Sequence, residues 1–193
     1  DSRPSSNISS NTSQHLIQDI RFMLSHFRIN KAMFVGGSWG ATLALLFAKN
    51  FPNHVSALVL RGAFLARQQD IDWFISDNGV ATLLPVEYSE FYHTIEQFGE
   101  ISNTASIINL VFASLTSDNQ QQKLQATLAW AKWSWAVLNY SFDKKVDFDP
   151  SCADRIYSNV LIELHYAKNK YFLTEDILEN LKTIENIPTT LIH

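Results

Sequence analysis

The chain has 193 residues, enough for one substantial domain or for a domain with an inserted subdomain. A make-up of 46% hydrophobic and 18% charged residues is that of a soluble globular protein, and a net charge of −4 with no basic run excludes the electrostatic footprint of a nucleic-acid or anionic-membrane binder. A single cysteine, Cys152, excludes an internal disulfide and a thiolate metal cluster, and the longest apolar runs, such as Ala41 to Ala48, are too short to span a bilayer.

Residues 1–12, rich in Ser and Asn, read as loop. They lack the hydrophobic stretch of a signal peptide, which together with the lone cysteine places the expected location in the cytoplasm. Asn11, Thr12 or Ser13 can cap a helix over 14–29, with Leu16, Ile20, Met23, Leu24 and Phe27 recurring at three and four residues. Ala32-Met33-Phe34-Val35 is short, apolar and followed by glycines, which suits a buried strand. Trp39 to Asn50 turns helical and Pro52 stops it; Ala57 to Leu60 then forms a second buried strand before Arg61-Gly62. Helix, strand, helix, strand at this spacing predicts a parallel sheet with crossover helices.

From about residue 70 to 184 long amphipathic helical patterns dominate, with Trp73, Trp130, Trp133 and Trp135 among them. This predicts an all-helical insertion. Thr189 to Ile192, after Pro188, then reads as a third parallel strand. The expected organisation is an α/β core over 1–68, a helical cap over 69–185 and a return to the core at 186–193.

Between the first strand and the second helix lies Gly36-Gly37-Ser38-Trp39-Gly40. GxSxG alone is weak, recurring by chance in about one chain in twenty of this length. Its setting is what carries weight: a strand pattern ends just before it and a helix pattern begins just after it. In such a nucleophile elbow the serine takes strained backbone angles and lifts its hydroxyl beyond the sheet edge. Glycine is wanted two residues before and after, where side chains would collide. The helix N-terminus aims N–H groups at a developing oxyanion. The plainer alternative is a structural Ser-Gly turn.

FVGGSWGATLAL followed by LVLRGAFLARQQDIDWF resembles the prolyl aminopeptidase (proline iminopeptidase) family, α/β-hydrolases of the serine type. Asn11-Thr12-Ser13 with Leu16, Asp19 and Ile20 is similar to that family's NTT segment and the helix after it. The resemblance implies an α/β-hydrolase fold with a helical cap and release of N-terminal proline from small peptides through an acyl-enzyme. It implies no metal and no organic cofactor. Ser38 matches the nucleophile and the Trp39 backbone N–H an oxyanion-hole donor. Arg61 and Phe64 match residues near the substrate pocket at the root of the cap. Read without the family, Arg61 is equally a strand-end arginine paired with a surface carboxylate, and Phe64 a core aromatic.

Recognition of a free, protonated imino nitrogen calls for buried carboxylates. Glu163 matches one such family glutamate, although at about 100° per residue it falls on the flank of the face formed by Ile156, Val160, Leu161 and Leu164, where a solvated boundary residue is the ordinary reading. A second family glutamate follows a Trp-x-x-Trp element; Trp130-Ala131-Lys132-Trp133 fits that element, but Ser134 comes next. A neutral hydroxyl keeps a relaxed aminopeptidase, or an esterase on the same scaffold, in play.

The family's triad acid and histidine lie beyond the strand at Thr189–Ile192, and its HGGPG loop lies ahead of a segment that Asp1-Ser2-Arg3 resembles. None of the six histidines, His15, His26, His54, His93, His165 and His193, sits at the position of the base. The expectation is an internal or truncated piece of a longer hydrolase, inactive alone, with a non-catalytic fragment as the remaining alternative.

Overall fold

A computed structural model describes residues 7–139 and 152–193; Asp1-Ser2-Arg3, likened above to a family segment, lie outside the described residues. By its contacts the chain forms two compact units. One holds Ser9–Asp70 with Lys170–His193, and the other is built on Ile71–Asn169.

The first unit opens with α1, Ser13–His26. Thr12 caps it, its hydroxyl accepting the His15 N–H at 3.3 Å, which satisfies a donor that the first turn leaves open. The helix is shorter than its pattern predicts: Phe27 is already the C-cap, and Arg28 turns left-handed at φ 56°. Its buried stripe runs through Ile17 and Leu24, whereas Met23 and Phe27 face water. Strand β1, Ala32–Gly37, runs on through its two glycines, because Gly36 and Gly37 pair with Leu60 and Arg61 of β2, Val55–Arg61. Between them lies α2, Trp39–Asn50, which Pro52 follows with a single turn of 3-10 helix. Strand β3, Thr189–Ile192, pairs with β2, so three parallel strands stand in the order β1-β2-β3.

Side chains alternate across these strands. Phe34, Leu58 and Leu60 point to the side where α1 and α2 pack, and the core there closes around Phe47, 0% exposed and 4.8 Å from the Phe34 ring. Met33 and Val35 point the other way and are exposed. Residues 170–185, grouped with the helical insertion by their texture, cluster instead with the sheet: Ile177 and Ile184 belong to this core. Their stretch is short on helical periodicity but carries apolar side chains at the two places where the core has room.

The second unit is helical: α3 (Gln68–Ile75) leads into it, followed by α4 (Pro85–Ile95), α5 (Thr104–Leu115), α6 (Gln120–Leu138) and α7 (Ala153–Lys168). A capping box starts α5, the Asn103 side chain accepting from the Ser106 N–H at 2.9 Å while the Ser106 hydroxyl accepts from the Asn103 N–H at 3.1 Å. Helix α4 packs on α6, and α5 packs on α6 and α7. Trp133 is the keystone: 1% exposed, stacked on Phe91 at 5.7 Å, with its indole N–H donated to the Phe74 carbonyl at 3.1 Å. A buried tryptophan needs that acceptor. No described helix is long and apolar enough to cross a membrane.

Candidate active site

Ser38 sits in the one-residue gap between β1 and α2 with φ 52° and ψ −123°. A non-glycine residue at such angles is strained by about 1–3 kcal/mol and stays there only where its surroundings over-determine it. Here its N–H donates to the Arg61 carbonyl at 3.0 Å, which carries the β1–β2 ladder one residue past the strand, and its own carbonyl accepts from the Ala41 N–H at 2.9 Å, which opens α2. The sharp reversal brings the end of β1 against the first turn of α2. A Cβ on Gly36 would lie 2.3 Å from the Gly40 carbonyl oxygen, so glycine is obligatory at 36. At Gly40 a Cβ would meet nothing within 4 Å, so the expectation that both flanking glycines are sterically required holds at one of them.

The side chain of Ser38 is exposed and, among the described residues, has no hydrogen-bond partner; no histidine is bonded to it. Trp39 is the first residue of α2, whose N-terminus brings partial positive charge beside that hydroxyl. Arg61 ends β2 and is exposed. It makes no ion pair among the described residues, so the carboxylate partner of its ordinary reading is not found, and its contribution to the bend is its carbonyl. Phe64 is half-buried. Its carbonyl accepts from the Thr42 hydroxyl, tying the segment after β2 to the buried face of α2.

Tyr171 escaped the sequence reading. Its ring lies 5.1 Å from Trp39 and 5.1 Å from Phe64, bridging the residue after Ser38 and the segment after β2. It is held there by three successive left-handed residues, Lys170, Tyr171 and Phe172, at φ 48°, 54° and 55°. Ser13 and Gln14 at the start of α1 donate to the carbonyls of Tyr171 and Phe172, the second at 2.6 Å. Nothing in Asn169-Lys170-Tyr171-Phe172 signals such a turn, since it contains no glycine and only one asparagine.

In the helical unit, Glu163 stands on α7 and is exposed by area, as its flank position implies. Loss of hydration nevertheless pushes its carboxyl above the usual range. Trp130 Nε1 and Ser134 Oγ are both buried and, among the described residues, have no hydrogen-bond partner. Among the described residues no cluster of His, Cys, Asp and Glu has the make-up of a metal site.

Residues 1–146 match the alpha/beta hydrolase fold family. The proline iminopeptidase of Arabidopsis thaliana is 33% identical over 195 residues, covering 99% of this chain and 50% of that protein. That of Xylella fastidiosa is 32% identical, covering 100% and 60%, and that of Neisseria meningitidis serogroup A is 31% identical, covering 99% and 60%. The chain thus spans between 50% and 60% of the length of these relatives. With a parallel sheet, a serine at the strand–helix bend and this match over most of its length, the chain belongs to the α/β-hydrolase fold family.

Proposed function

We propose that the chain carries the nucleophile and cap of a serine hydrolase of the prolyl aminopeptidase type, which releases N-terminal proline from small peptides. The observation that carries this reading is the backbone of Ser38: a non-glycine residue at φ 52° between β1 and α2, with Gly36 pressed against Gly40. A protein bears such strain where a hydroxyl has to project from a bend. The names and identities of the relatives support the substrate class.

In this reading the Ser38 hydroxyl attacks the carbonyl of the first residue, the bond to the following nitrogen breaks, and water later releases the acyl group. The Trp39 N–H, at the start of α2, is suited to hold the oxyanion. Arg61 and Phe64 line the substrate's approach to the bend, and Glu163 takes the protonated amino end. The reaction needs a general base, and no histidine is bonded to Ser38 among the described residues. Loss of the base in a serine triad costs about six orders of magnitude in turnover, so these residues alone are expected to be close to inactive.

The test is hydrolysis of proline β-naphthylamide by the whole protein, compared with alanine β-naphthylamide and short acyl esters. Proline release that falls about 10⁵-fold or more in Ser38→Ala supports the reading. Ester hydrolysis without any amidase activity defeats it in favour of an esterase, the alternative that Ser134 keeps open.

A further inference from the structure

Lys170, Tyr171 and Phe172 are three successive left-handed residues with no glycine among them, at φ 48°, 54° and 55°. Non-glycine residues visit that region singly and at a cost, and they stay there where the surroundings over-determine them. Here the surroundings are the start of α1. The buried Ser13 hydroxyl donates to the Tyr171 carbonyl, and the Gln14 amide donates to the Phe172 carbonyl at 2.6 Å. The Leu173 N–H, donated to the Lys170 carbonyl at 3.1 Å, closes the turn. A connection that had only to return the chain to the sheet would take glycine in such a turn. What tyrosine adds is a ring.

That ring reaches two particular neighbours. Trp39 follows Ser38 directly and begins α2. Phe64 lies three residues beyond Arg61, whose carbonyl holds the Ser38 N–H at 3.0 Å. The two side chains therefore belong to the two segments that meet at Ser38. The Tyr171 ring stands between them, 5.1 Å from Trp39 at an interplanar angle of 43°, and 5.1 Å from Phe64, edge-on at 67°. Tilted and edge-on pairs at this spacing attract each other beyond the burial of their area. Phe64 is pinned through its backbone as well, because its carbonyl accepts from the hydroxyl of Thr42, which is fully buried in α2. All three aromatic residues are half-buried rather than sealed in the core, and Ser38 beside them is exposed.

We propose that Tyr171 is a positioning residue that sets the width of the approach to Ser38: wedged between Trp39 and Phe64, its ring fixes their separation, so that the site takes a compact acyl residue and rejects a bulky one. This rests on Ser38 being the nucleophile of the proposed function, and adds what limits the size of the residue released. In an apolar pocket even one surplus methylene changes kcat/KM by about tenfold or more, so the loss of a whole ring is large enough to measure.

The test compares the whole protein with Tyr171→Gly, Tyr171→Ala and Tyr171→Phe. The substrates are the β-naphthylamides of proline and phenylalanine and the p-nitrophenyl esters of acetic and phenylacetic acid. Glycine removes the ring and suits the left-handed backbone, alanine removes the ring and leaves the strain, and phenylalanine keeps the ring. In both ringless variants the kcat/KM ratio of phenylalanine to proline naphthylamide is expected to rise about tenfold, carried by KM. Tyr171→Phe is expected to keep the wild-type ratio, and a ratio like that of alanine would overturn the role of the ring. Agreement between glycine and alanine separates the ring from the turn, and either variant suffices should the other not fold. A ratio unmoved in the folded ringless variants, with kcat merely lower on every substrate, overturns the proposal and leaves the aminopeptidase reading standing. A shifted ester ratio with neither naphthylamide cleaved supports the positioning and defeats the aminopeptidase reading. No turnover of any of these substrates by the wild type overturns both.

Discussion

Ser38 holds backbone angles that glycine adopts freely and other residues resist, and it does so with one hydrogen bond to β2 and one to α2. Replacing it with glycine removes the hydroxyl and the strain together. Ser38→Gly is therefore expected to gain about 1 kcal/mol, seen as a rise of roughly 2–4 °C in Tm, while any hydrolysis disappears. A lower Tm would show that the angles carry no strain. The two glycines around it are expected to separate. Gly36→Ala puts a methyl group 2.3 Å from a backbone oxygen that cannot swing away, at a cost of about 2–3 kcal/mol or roughly 5–10 °C. Gly40→Ala places its methyl in open space inside a helix and is expected to be neutral or stabilising by up to about 1 kcal/mol. Thermal melts of the pair decide whether the close approach is the constraint.

The elements of the sheet unit are tied together at the far end of α2 by Lys49, whose ammonium donates to Glu175 at 2.9 Å and to the Ile177 carbonyl at 3.3 Å. The Lys49 side chain is only 8% exposed, so it depends on that partner, whereas Glu175 remains open to water. Hydrogen bonding and the charge of Lys49 hold the Glu175 carboxyl below its ordinary value. A carboxyl depressed in the folded state stabilises above the unfolded pKa and loses that contribution as pH falls through the lower, folded one. Urea midpoints are thus expected to fall on acidification below the ordinary glutamate range, and to fall less steeply in Glu175→Gln. Equal slopes would remove the pair from the acid response. By texture the same returning segment, 170–185, groups with the cap. Its place in the core is set by Ile177 and Ile184, two apolar side chains in a stretch without helical periodicity, which no window of local pattern separates from the helices before it.

On the scale of the whole chain, the described residues leave apolar side chains open on the sheet face away from α1 and α2. Met33, Val35 and Ile192 share that face and are 59%, 71% and 50% exposed. Contiguous apolar surface beside an open strand edge promotes association. The 193-residue chain is expected to self-associate with rising concentration, and a Met33→Thr, Val35→Thr double variant to stay monomeric longer, as read by light scattering. A chain that remains monomeric at high concentration would contradict this.

Local pattern was enough to find the elements that build the bend, because period and punctuation are properties of neighbouring residues: an apolar run ending in glycines, a serine, then a helix stopped by Pro52. It also pointed to Ser38, since the elbow depends on residues four apart at most. What depends on distant partners was decided only by folding. The Ser38 N–H is held by the Arg61 carbonyl of β2, and Tyr171 reaches Trp39 and Phe64 from more than a hundred residues away along the chain. The Trp133 indole finds its acceptor on Phe74, 59 residues back along the chain. A sequence records which side chains are available; which of them are left buried, crowded or without a partner is a property of the packed chain.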